Sequence, residues 1–483
     1  MKKIILLNIL FLNLVFSQQT PAPLQDKSVL IYGGITHVGN GELIKNSIIG
    51  FTDGKIDLMT STDENWSDEK LSSFYNSKNE KYDTLINASN HHIYPGIIAL
   101  NTNLGLVEID AVKASVDDDE SGSYLPEIRS IIAYNAESKA VESMRPNGVL
   151  LAQIAPNGGI ISGSSSVVQL DAWNWEDAVV KYDQGIHINW PSPYTYGRWW
   201  LGEDAGLKVN NNYSKQVRNL KDFFEKSKAN MFVNLSMNLK SKAMKEIFNG
   251  DSTVYLYADD EKEIVDGIIF LKSFGIEKIV IVGASDSRNQ LDFIKENNLP
   301  VVVKQPYRFP QSIDSDPAET FLLAKEMLDK GILVSIDPSG APQSRVSVRN
   351  LPFYAGSFSS YGIDKEIALS LITLNPAKIL EIDEEFGSIE IGKSATLFIS
   401  KGDALDIVSN NVIEINYPVD KYPQKIKSVK LTEEKNVISG QLNGIKGQYL
   451  ILDNDRVFNV RSHEGFLVSF EFNKNLTKQS VLF

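Results

Sequence analysis

Side chains that bind zinc through nitrogen or sulfur are scarce in this sequence. The 483-residue chain contains five histidines and no cysteine. Without cysteine the chain has no thiolate ligand, catalytic thiol or disulfide, so a zinc site would depend on imidazole and carboxylate groups. The adjacent pair His91 and His92 is a poor metal clip, since neighbouring residues of a strand face opposite sides. The other histidines are His37, His187 and His463. The sequence by itself therefore favours no zinc centre.

Two polar runs could also carry chemistry. The acidic run 117–120 could bind a hard cation such as calcium, but it lacks the spaced ligands and turn glycine of an EF-hand loop, which favours a solvated loop. The run 163–166 lacks the Gly-x-Ser-x-Gly elbow of a serine hydrolase, and it predicts either a loop that shapes the barrel mouth or a simple turn. Carboxylate pairs for glycoside hydrolysis stay open, because 61 acidic residues offer too many combinations.

Aromatic residues concentrate in one window, which contains five of the six tryptophans. Aromatic rings beside an arginine can stack on a sugar, form a protein interface, or pack a long loop onto the core. All three alternatives stay open, and the first would make the chain a glycan-binding module. The window comprises Trp173, Trp175, Trp190, Tyr194, Tyr196, Arg198, Trp199 and Trp200.

The charge and the N-terminus bear on partners and location. A formal net charge of -13 repels phosphate backbones, so nucleic acid is not an expected partner. Lys2 and Lys3 precede the apolar run 4–16, which has the length of a signal-peptide core and is too short to span a bilayer. The small residues at the end of this run allow a signal-peptide cleavage site after Ser17. We therefore expect a signal peptide over 1–17, no membrane insertion after its cleavage, and export to the periplasm or beyond.

The distribution of apolar segments predicts three regions after the signal peptide. Residues 18–96 combine short strands with turns, which predicts one part of a small β-sandwich. Residues 97–384 alternate apolar strands with amphipathic helices, which is typical of a parallel sheet with crossover helices. Eight strands over this length fit an α/β fold of the (β/α)8 TIM-like barrel type. Residues 385–483 return to strands and predict the other part of the sandwich and a tail. The eight predicted barrel strands are Ile97–Leu100, Val149–Ile154, Val167–Leu170, Ile186–Ile188, Val254–Tyr257, Lys278–Val282, Val301–Val303 and Ile332–Ile336.

Three phrases in this layout carry a family resemblance. Tyr94–Ile98 enters the first barrel strand, Leu374–Leu380 follows the eighth, and Gly387–Ala395 returns to the sandwich. With these phrases in order, the chain resembles the amidohydrolase superfamily, specifically its imidazolonepropionase-like secreted members. The resemblance implies a barrel that holds one or two divalent metals at the C-terminal ends of its strands and activates a water to attack an amide-like or cyclic amide bond.

The positions that match the family's metal ligands hold other residues here. Where the family has Asp-x-His-x-His after Pro-Gly, both histidine positions hold asparagine, Asn101 and Asn103, which period-two alternation would turn toward the barrel axis. The histidine position on the fifth strand holds Tyr257, and the one on the sixth holds Gly283 or a neighbour. The catalytic aspartate after the eighth strand matches Asp337.

These replacements lead to two hypotheses on activity. The first is a binding or partner subunit, a pseudoenzyme without metal or metal-dependent catalysis, which pairs with a ligand-complete amidohydrolase relative or with another copy of itself. The second is an active hydrolase of a carbon-nitrogen bond, with Asp337 as its catalytic residue. That enzyme would use no metal, or an oxygen-rich site around Asn101, Asn103 and Asp337 that holds Mn, Mg or Zn. His187 is expected to be a hydrogen-bonded structural group, and residues 408–483 suggest no role.

Overall fold

A computed structural model gives the positions of most of the chain, in two compact units that divide at residue 407. Among the residues that the structure describes, no helix is both long enough and apolar enough to cross a bilayer. The expected signal peptide over 1–17 lies outside the described residues. Apart from single positions near residues 74, 201 and 421, the described residues are 21–62, 81–197, 206–230, 238–308, 316–338, 344–406, 423–432, 437–446 and 449–460.

The first unit contains two main sheets and the helices that cover the larger one. Its strands are β1 (Val29–His37), β2 (Leu43–Thr52), β3 (Lys55–Ser61), β4 (Thr84–Asn87), β5 (His92–Pro95), β6 (Ile97–Thr102), β7 (Val149–Ile154), β8 (Ile161–Gln169), β9 (Val179–Asn189), β10 (Tyr194–Tyr196), β11 (Leu207–Val209), β12 (Thr253–Ala258), β13 (Ile279–Gly283), β14 (Val301–Lys304), β15 (Val334–Asp337) and β16 (Leu397–Ser400). Its helices are α1 (Lys139–Met144), α2 (Trp175–Ala178), α3 (Tyr213–Ala229), α4 (Leu239–Asn249), α5 (Glu261–Ser273), α6 (Leu291–Glu296), α7 (Glu319–Asp329), α8 (Ser344–Ser347), α9 (Leu351–Ser360), α10 (Lys365–Ser370) and α11 (Leu374–Ile379).

Strands before and after the barrel share one flanking sheet. Its order is β16-β5-β1-β2-β3, with β4 beside β1. Strand β5 runs parallel to β1 and antiparallel to β16, so segments that are about 300 residues apart in the chain lie side by side. Buried residues of this sheet, including Ile31, Ile49 and Ile93, form a small core of their own.

The larger sheet is a nearly closed barrel of eight strands, as the sequence predicts. Its order is β15-β14-β13-β12-β9-β8-β7-β6. Along β6, Ile98 and Leu100 belong to the core inside the barrel, whereas Ile97 and Ala99 belong to the core that packs under the helices. This alternation follows from the two-residue period of a strand, and it explains why apolar residues run without interruption through the barrel strands.

One strand departs from the predicted parallel arrangement. Strand β8 runs antiparallel to both β7 and β9. Only residues 155–160 link β7 to β8, whereas a parallel crossover needs a dozen residues or more. Gly158 and Gly159 both have positive φ, 81° and 60°, in this tight connection. The expectation of a wholly parallel sheet is therefore wrong at β8.

Residues 408–483 form the second unit. Its described strands form a four-stranded sheet in the order β17-β20-β19-β18. These strands are β17 (Lys427–Val429), β18 (Leu442–Lys446), β19 (Tyr449–Leu452) and β20 (Arg456–Asn459).

Candidate functional site at the barrel mouth

A backbone irregularity near the end of β6 sets the direction of Asn101. The register between β6 and β7 shifts between Ala99 and Thr102, and Asn101 has a φ of 53°, in the left-handed region that asparagine tolerates better than most residues. A bulge of this kind re-aims a side chain that strict alternation would point elsewhere. Asn101 is thereby turned toward Asp337 at the end of β15, and it joins the first and last strands of the barrel.

Four side chains at the C-terminal ends of barrel strands form one hydrogen-bonded chain. The Asn101 amide Nδ2 donates to Asp337 Oδ2 over 2.7 Å. The Tyr257 hydroxyl donates to Asn101 Oδ1. The oxygen of the same hydroxyl lies 2.9 Å from His187 Nδ1. Because the hydroxyl proton goes to Asn101, Nδ1 of His187 must be the donor in the last bond, and the ring is the tautomer with its proton on Nδ1. All donors in the chain point toward the carboxylate of Asp337.

Burial keeps His187 and Tyr257 uncharged. His187 has no exposed surface, and its burial lowers its pKa to about 3. Burial also raises the pKa of Tyr257 well above its usual value, and the negative charge of Asp337 adds to that shift. The His187 ring stacks on Tyr255 with 4.8 Å between ring centroids. Its Nε2 is buried, with no hydrogen-bond partner among the described residues. The imidazole is therefore a neutral, rigid donor rather than a cation at neutral pH.

Asn103 does not join this group. Its amide nitrogen donates to Asp118 Oδ2 over 2.9 Å, and Asn157 donates to the same oxygen over 2.8 Å. The irregularity at Asn101 accounts for this separation, because it breaks the alternation that would have aimed both asparagines at the axis. Asp118 is thus tied into the fold, although the acidic run 117–120 favours a solvated loop. The run lines a cavity of about 350 Å³ among the loops after β6 and β7.

Gly283 ends β13 at a point where a side chain has no room. Its φ is 112°, a conformation that L side chains rarely adopt. A Cβ atom at this position would lie 2.4 Å from Asp259 Oδ1 and 3.1 Å from the carbonyl oxygen of Ala258. The Asp259 carboxylate cannot simply move away, since Ser285 Oγ donates to it over 2.7 Å and Lys304 Nζ lies 3.3 Å from it.

The described residues at this mouth do not fit the divalent metal that the resemblance implies. Of the matching positions, Gly283 offers no side chain and Asn103 is bonded elsewhere. Asn101 and Tyr257 are neutral oxygen or nitrogen groups that already bond to each other. Zinc prefers imidazole, thiolate and carboxylate ligands, and here Asp337 alone among these matching positions belongs to that set.

Sequence reasoning missed a second polar group beside this network. Asp259 follows β12, Ser285 follows β13, and Lys304 ends β14 with its Nζ 5.7 Å from the centre of the Tyr257 ring. Arg308 Nη1 donates to Ser285 Oγ over 3.0 Å, and burial lowers the pKa of Arg308. All of these residues end or follow predicted barrel strands. The rule that barrel sites lie at the C-terminal ends of strands could therefore have found them.

The aromatic window is divided by the barrel. Trp173 and Trp175 precede strand β9, whereas Tyr194 and Tyr196 follow it, and an eleven-residue strand spans roughly 35 Å. Trp190 is buried, and its Nε1 donates to Tyr213 in the core. These five residues therefore do not form one continuous surface. The other members, Arg198, Trp199 and Trp200, lie outside the described residues.

Comparison with known proteins supports this fold. A crystal structure of an amidohydrolase from Thermotoga maritima MSB8 aligns with 78% of this chain and 95% of its own, with a TM-score of 0.64 and 19% identity. The chain has the fold of the amidohydrolase superfamily. It resembles the imidazolonepropionase-like members, as the sequence predicts.

Two sequence matches cover parts of the chain. An imidazolonepropionase of Picrophilus torridus is 34% identical over 115 residues, which are 24% of this chain and 27% of that enzyme. The chain thus matches about a quarter of the length of this curated relative. A family described as "protein of unknown function (DUF2797)" matches residues 381–468, across the end of the first unit and much of the second.

Proposed function

We propose that this chain is a binding or partner subunit built on an amidohydrolase-like barrel, without metal-dependent hydrolysis. The observation that carries the proposal is the hydrogen-bonded chain from His187 through Tyr257 and Asn101 to Asp337. Groups that would have to turn toward a metal are bonded to one another instead. In a buried site of low dielectric, breaking such bonds to admit an ion would leave polar groups unpaired at a high cost in free energy.

The network suits a rigid binding surface better than a catalytic centre. Water-activating hydrolysis needs a general base or a metal-bound hydroxide that can take up a proton during the reaction. His187, with its pKa lowered to about 3, is a weak base, and Tyr257 holds its proton firmly. Asp337 is fully buried and accepts from Asn101. His187 and Tyr257 therefore act as fixed hydrogen-bonding groups rather than as proton carriers.

An enzyme assay on the full chain tests this proposal. Protein stripped by a chelator and then supplied with Zn, Mn or Mg would be assayed on a panel of cyclic amides and imides, beside Asp337→Ala. We expect no metal-dependent turnover from either protein. Turnover that requires a metal and disappears in Asp337→Ala would overturn the proposal, and circular dichroism would verify that the variant is folded.

The partner is the next question, and we propose a ligand-complete amidohydrolase relative or a second copy of this chain. Light scattering on the purified protein, alone and mixed with such a relative, separates the two. A mass of one chain in both samples would contradict this part of the proposal.

Export is likewise proposed, from Lys2, Lys3 and the apolar run 4–16. The N-terminal sequence of the mature protein tests it, with cleavage expected after Ser17.

An active hydrolase of a carbon-nitrogen bond is the second candidate. Asp337 favours it, because a buried carboxylate ends the eighth barrel strand, where the resemblance places the catalytic aspartate. The oxygen-rich metal site considered for this enzyme would need Asn101, Asn103 and Asp337 together. Since Asn103 bonds to Asp118, only Asn101 and Asp337 meet. A metal-independent reaction dependent on Asp337 is the form of this candidate that the geometry favours.

A further inference from the structure

A cluster of metal-ligating side chains lies in the flanking sheet, where β5 leads into the N-terminal end of the first barrel strand. Strands β1 and β5 run parallel, with Ile35 paired to His92. His37 is two residues beyond Ile35, so both imidazoles leave the same face of the sheet. Asp403 follows β16, the strand on the other side of β5. The register of three neighbouring strands thus assembles groups that are far apart in the sequence.

The ligating atoms of these three residues converge. One atom each from His37, His92 and Asp403 lie within 4.8 Å of one another. The closest approach is a hydrogen bond of 2.9 Å, in which His92 Nδ1 donates to His37 Nε2 because the His37 proton is on Nδ1. Two nitrogens bound tetrahedrally to zinc, each at about 2.05 Å, are about 3.3 Å apart. An ion between them therefore needs a few tenths of an ångström of movement and a shift of the His92 proton from Nδ1 to Nε2. His37 is buried and His92 and Asp403 are half-buried, which leaves a route for an ion.

Further side chains hold this cluster in the orientation that a metal requires. Glu366 Oε1 lies 2.8 Å from His37 Nδ1, so that nitrogen donates to the carboxylate and Nε2 presents its lone pair to the cluster. The Tyr94 ring stacks on His37 with 4.2 Å between centroids, and its hydroxyl donates to Asp403 Oδ1 over 2.9 Å. A carboxylate behind a histidine is the usual support of a metal-bound imidazole.

The local charge also favours a cation. Lys365 Nζ lies 2.5 Å from Asp403 and 2.7 Å from Asp406. Two carboxylates therefore share one ammonium group, and a third, that of Glu366, bonds to His37. Lys365 competes with an incoming ion for Asp403, but Asp406 can retain it as a partner.

We propose that His37, His92 and Asp403 bind one divalent zinc-type ion. Two imidazoles and one carboxylate are a ligand set that zinc accepts, with water in the fourth position. The ion would fasten the flanking sheet to helix α10, since Glu366 on that helix supports His37. This site is separate from the barrel mouth, so it does not depend on the function proposed above.

Zinc uptake by the full-length chain tests the site. Chelator-stripped protein would be titrated with zinc chloride by calorimetry, and its zinc content measured by mass spectrometry after dialysis. We expect one zinc per chain, and at least a ten-fold loss of affinity in His92→Ala. His91→Ala is the matched control, since His91 bonds to the carbonyl oxygen of Ser89 and should not alter uptake. No uptake by the wild type, or equal uptake by His92→Ala, would overturn the proposal.

Three further variants identify the ligands and exclude unfolding as an explanation. Glu366→Gln should weaken zinc binding by about 10- to 100-fold, the usual effect of losing a supporting carboxylate. Lys365→Met should strengthen binding, because it removes the competitor for Asp403, and an unfolded protein could not show that gain. Asp337→Ala should bind zinc as the wild type does. Loss of zinc from Asp337→Ala but not from His92→Ala would place the ion in the barrel and overturn both this site and the proposed function.

Discussion

The histidines of the barrel mouth and of the flanking sheet differ in the hydrogen bonds of their ring nitrogens. His187 is fully buried in the mouth, where its Nδ1 donates toward a chain that ends on Asp337. His37 Nδ1 donates to Glu366, and its Nε2 accepts a hydrogen bond from His92 Nδ1. The first imidazole ends a buried network, and its Nε2 has no partner among the described residues, whereas the second accepts from a neighbouring imidazole whose proton a metal could replace. Histidine content alone therefore does not locate a metal site, because the direction of each ring nitrogen decides it.

The charged groups around the two clusters also differ. At the mouth, the carboxylate of Asp337 receives its bond from the neutral amide of Asn101. In the flanking sheet, Glu366, Asp403 and Asp406 outnumber Lys365. We expect perturbations at the mouth to alter folding stability regardless of metal. Perturbations in the sheet should alter stability mainly when zinc is present.

The largest effect should come from Asn101→Ala, which removes the residue at the centre of the mouth network. Asp337 and Tyr257 would each lose the hydrogen bond that Asn101 provides, and two lost bonds at buried groups should together cost about 3–5 kcal/mol. Urea unfolding measures the loss. Asn103→Ala is the control and should cost about 1 kcal/mol, because its partner Asp118 also accepts from Asn157. Equal losses in the two variants would contradict a special role of the network.

Zinc should stabilise the wild type, but not His92→Ala. Binding of an ion to the folded state alone adds about 2.7 kcal/mol when its free concentration is about 100 times Kd. Thermal unfolding with zinc and with chelator would show this difference. A zinc effect that is the same in both proteins would show that the flanking cluster is not the binding site.

Tyr257→Phe should destabilise the protein by about 1–3 kcal/mol, because His187 Nδ1 and Asn101 Oδ1 both lose a partner while the ring still fills its place. Urea unfolding is again the measurement. Tyr196→Phe is the matched control, since Tyr196 is 75% exposed and its change should have no measurable effect. A loss below 0.5 kcal/mol in Tyr257→Phe would mean that water replaces the hydroxyl without cost.

The last effect is a pH dependence of the free energy of unfolding that comes from His187. Its pKa is about 3 in the folded protein and about 6.5 in the unfolded chain, so the unfolded state binds more protons between these values. The contribution is fully present above pH 6.5 and is lost as the pH falls toward 3, by about 1.4 kcal/mol per unit. Urea unfolding at pH 7 and pH 5 should show a shallower dependence in His187→Gln than in wild type. Parallel pH profiles would show that His187 is solvated.

The positions of the barrel strands could be predicted from the sequence, because each is a short apolar run between turn residues. The direction of β8 could not be read from the same signal, since an apolar run looks alike in either direction. The predicted strand begins at Val167, which leaves a link of about a dozen residues that a parallel crossover allows, whereas the structure begins β8 at Ile161 and shortens the link to 155–160.

The candidate sites were harder to predict, for reasons of geometry. Asn101 and Asn103 share a face by simple alternation, but the positive φ of Asn101 separates them. His37 and His92 are 55 residues apart, and only the parallel register of β1 and β5 brings them together. Trp175 and Tyr194 are only 19 residues apart in the sequence, yet the length of β9 places them at opposite ends of the barrel.

The backbone at Gly283 bears on any attempt to engineer hydrolytic activity into this barrel. A histidine introduced there would need a new backbone angle and a new place for the Asp259 carboxylate, which Ser285 and Lys304 hold. Restoring ligands one residue at a time should therefore yield misfolded intermediates before it yields an enzyme. A design that replaces the whole turn after β13, together with Asp259, would avoid both the strained backbone angle and the clash with the carboxylate.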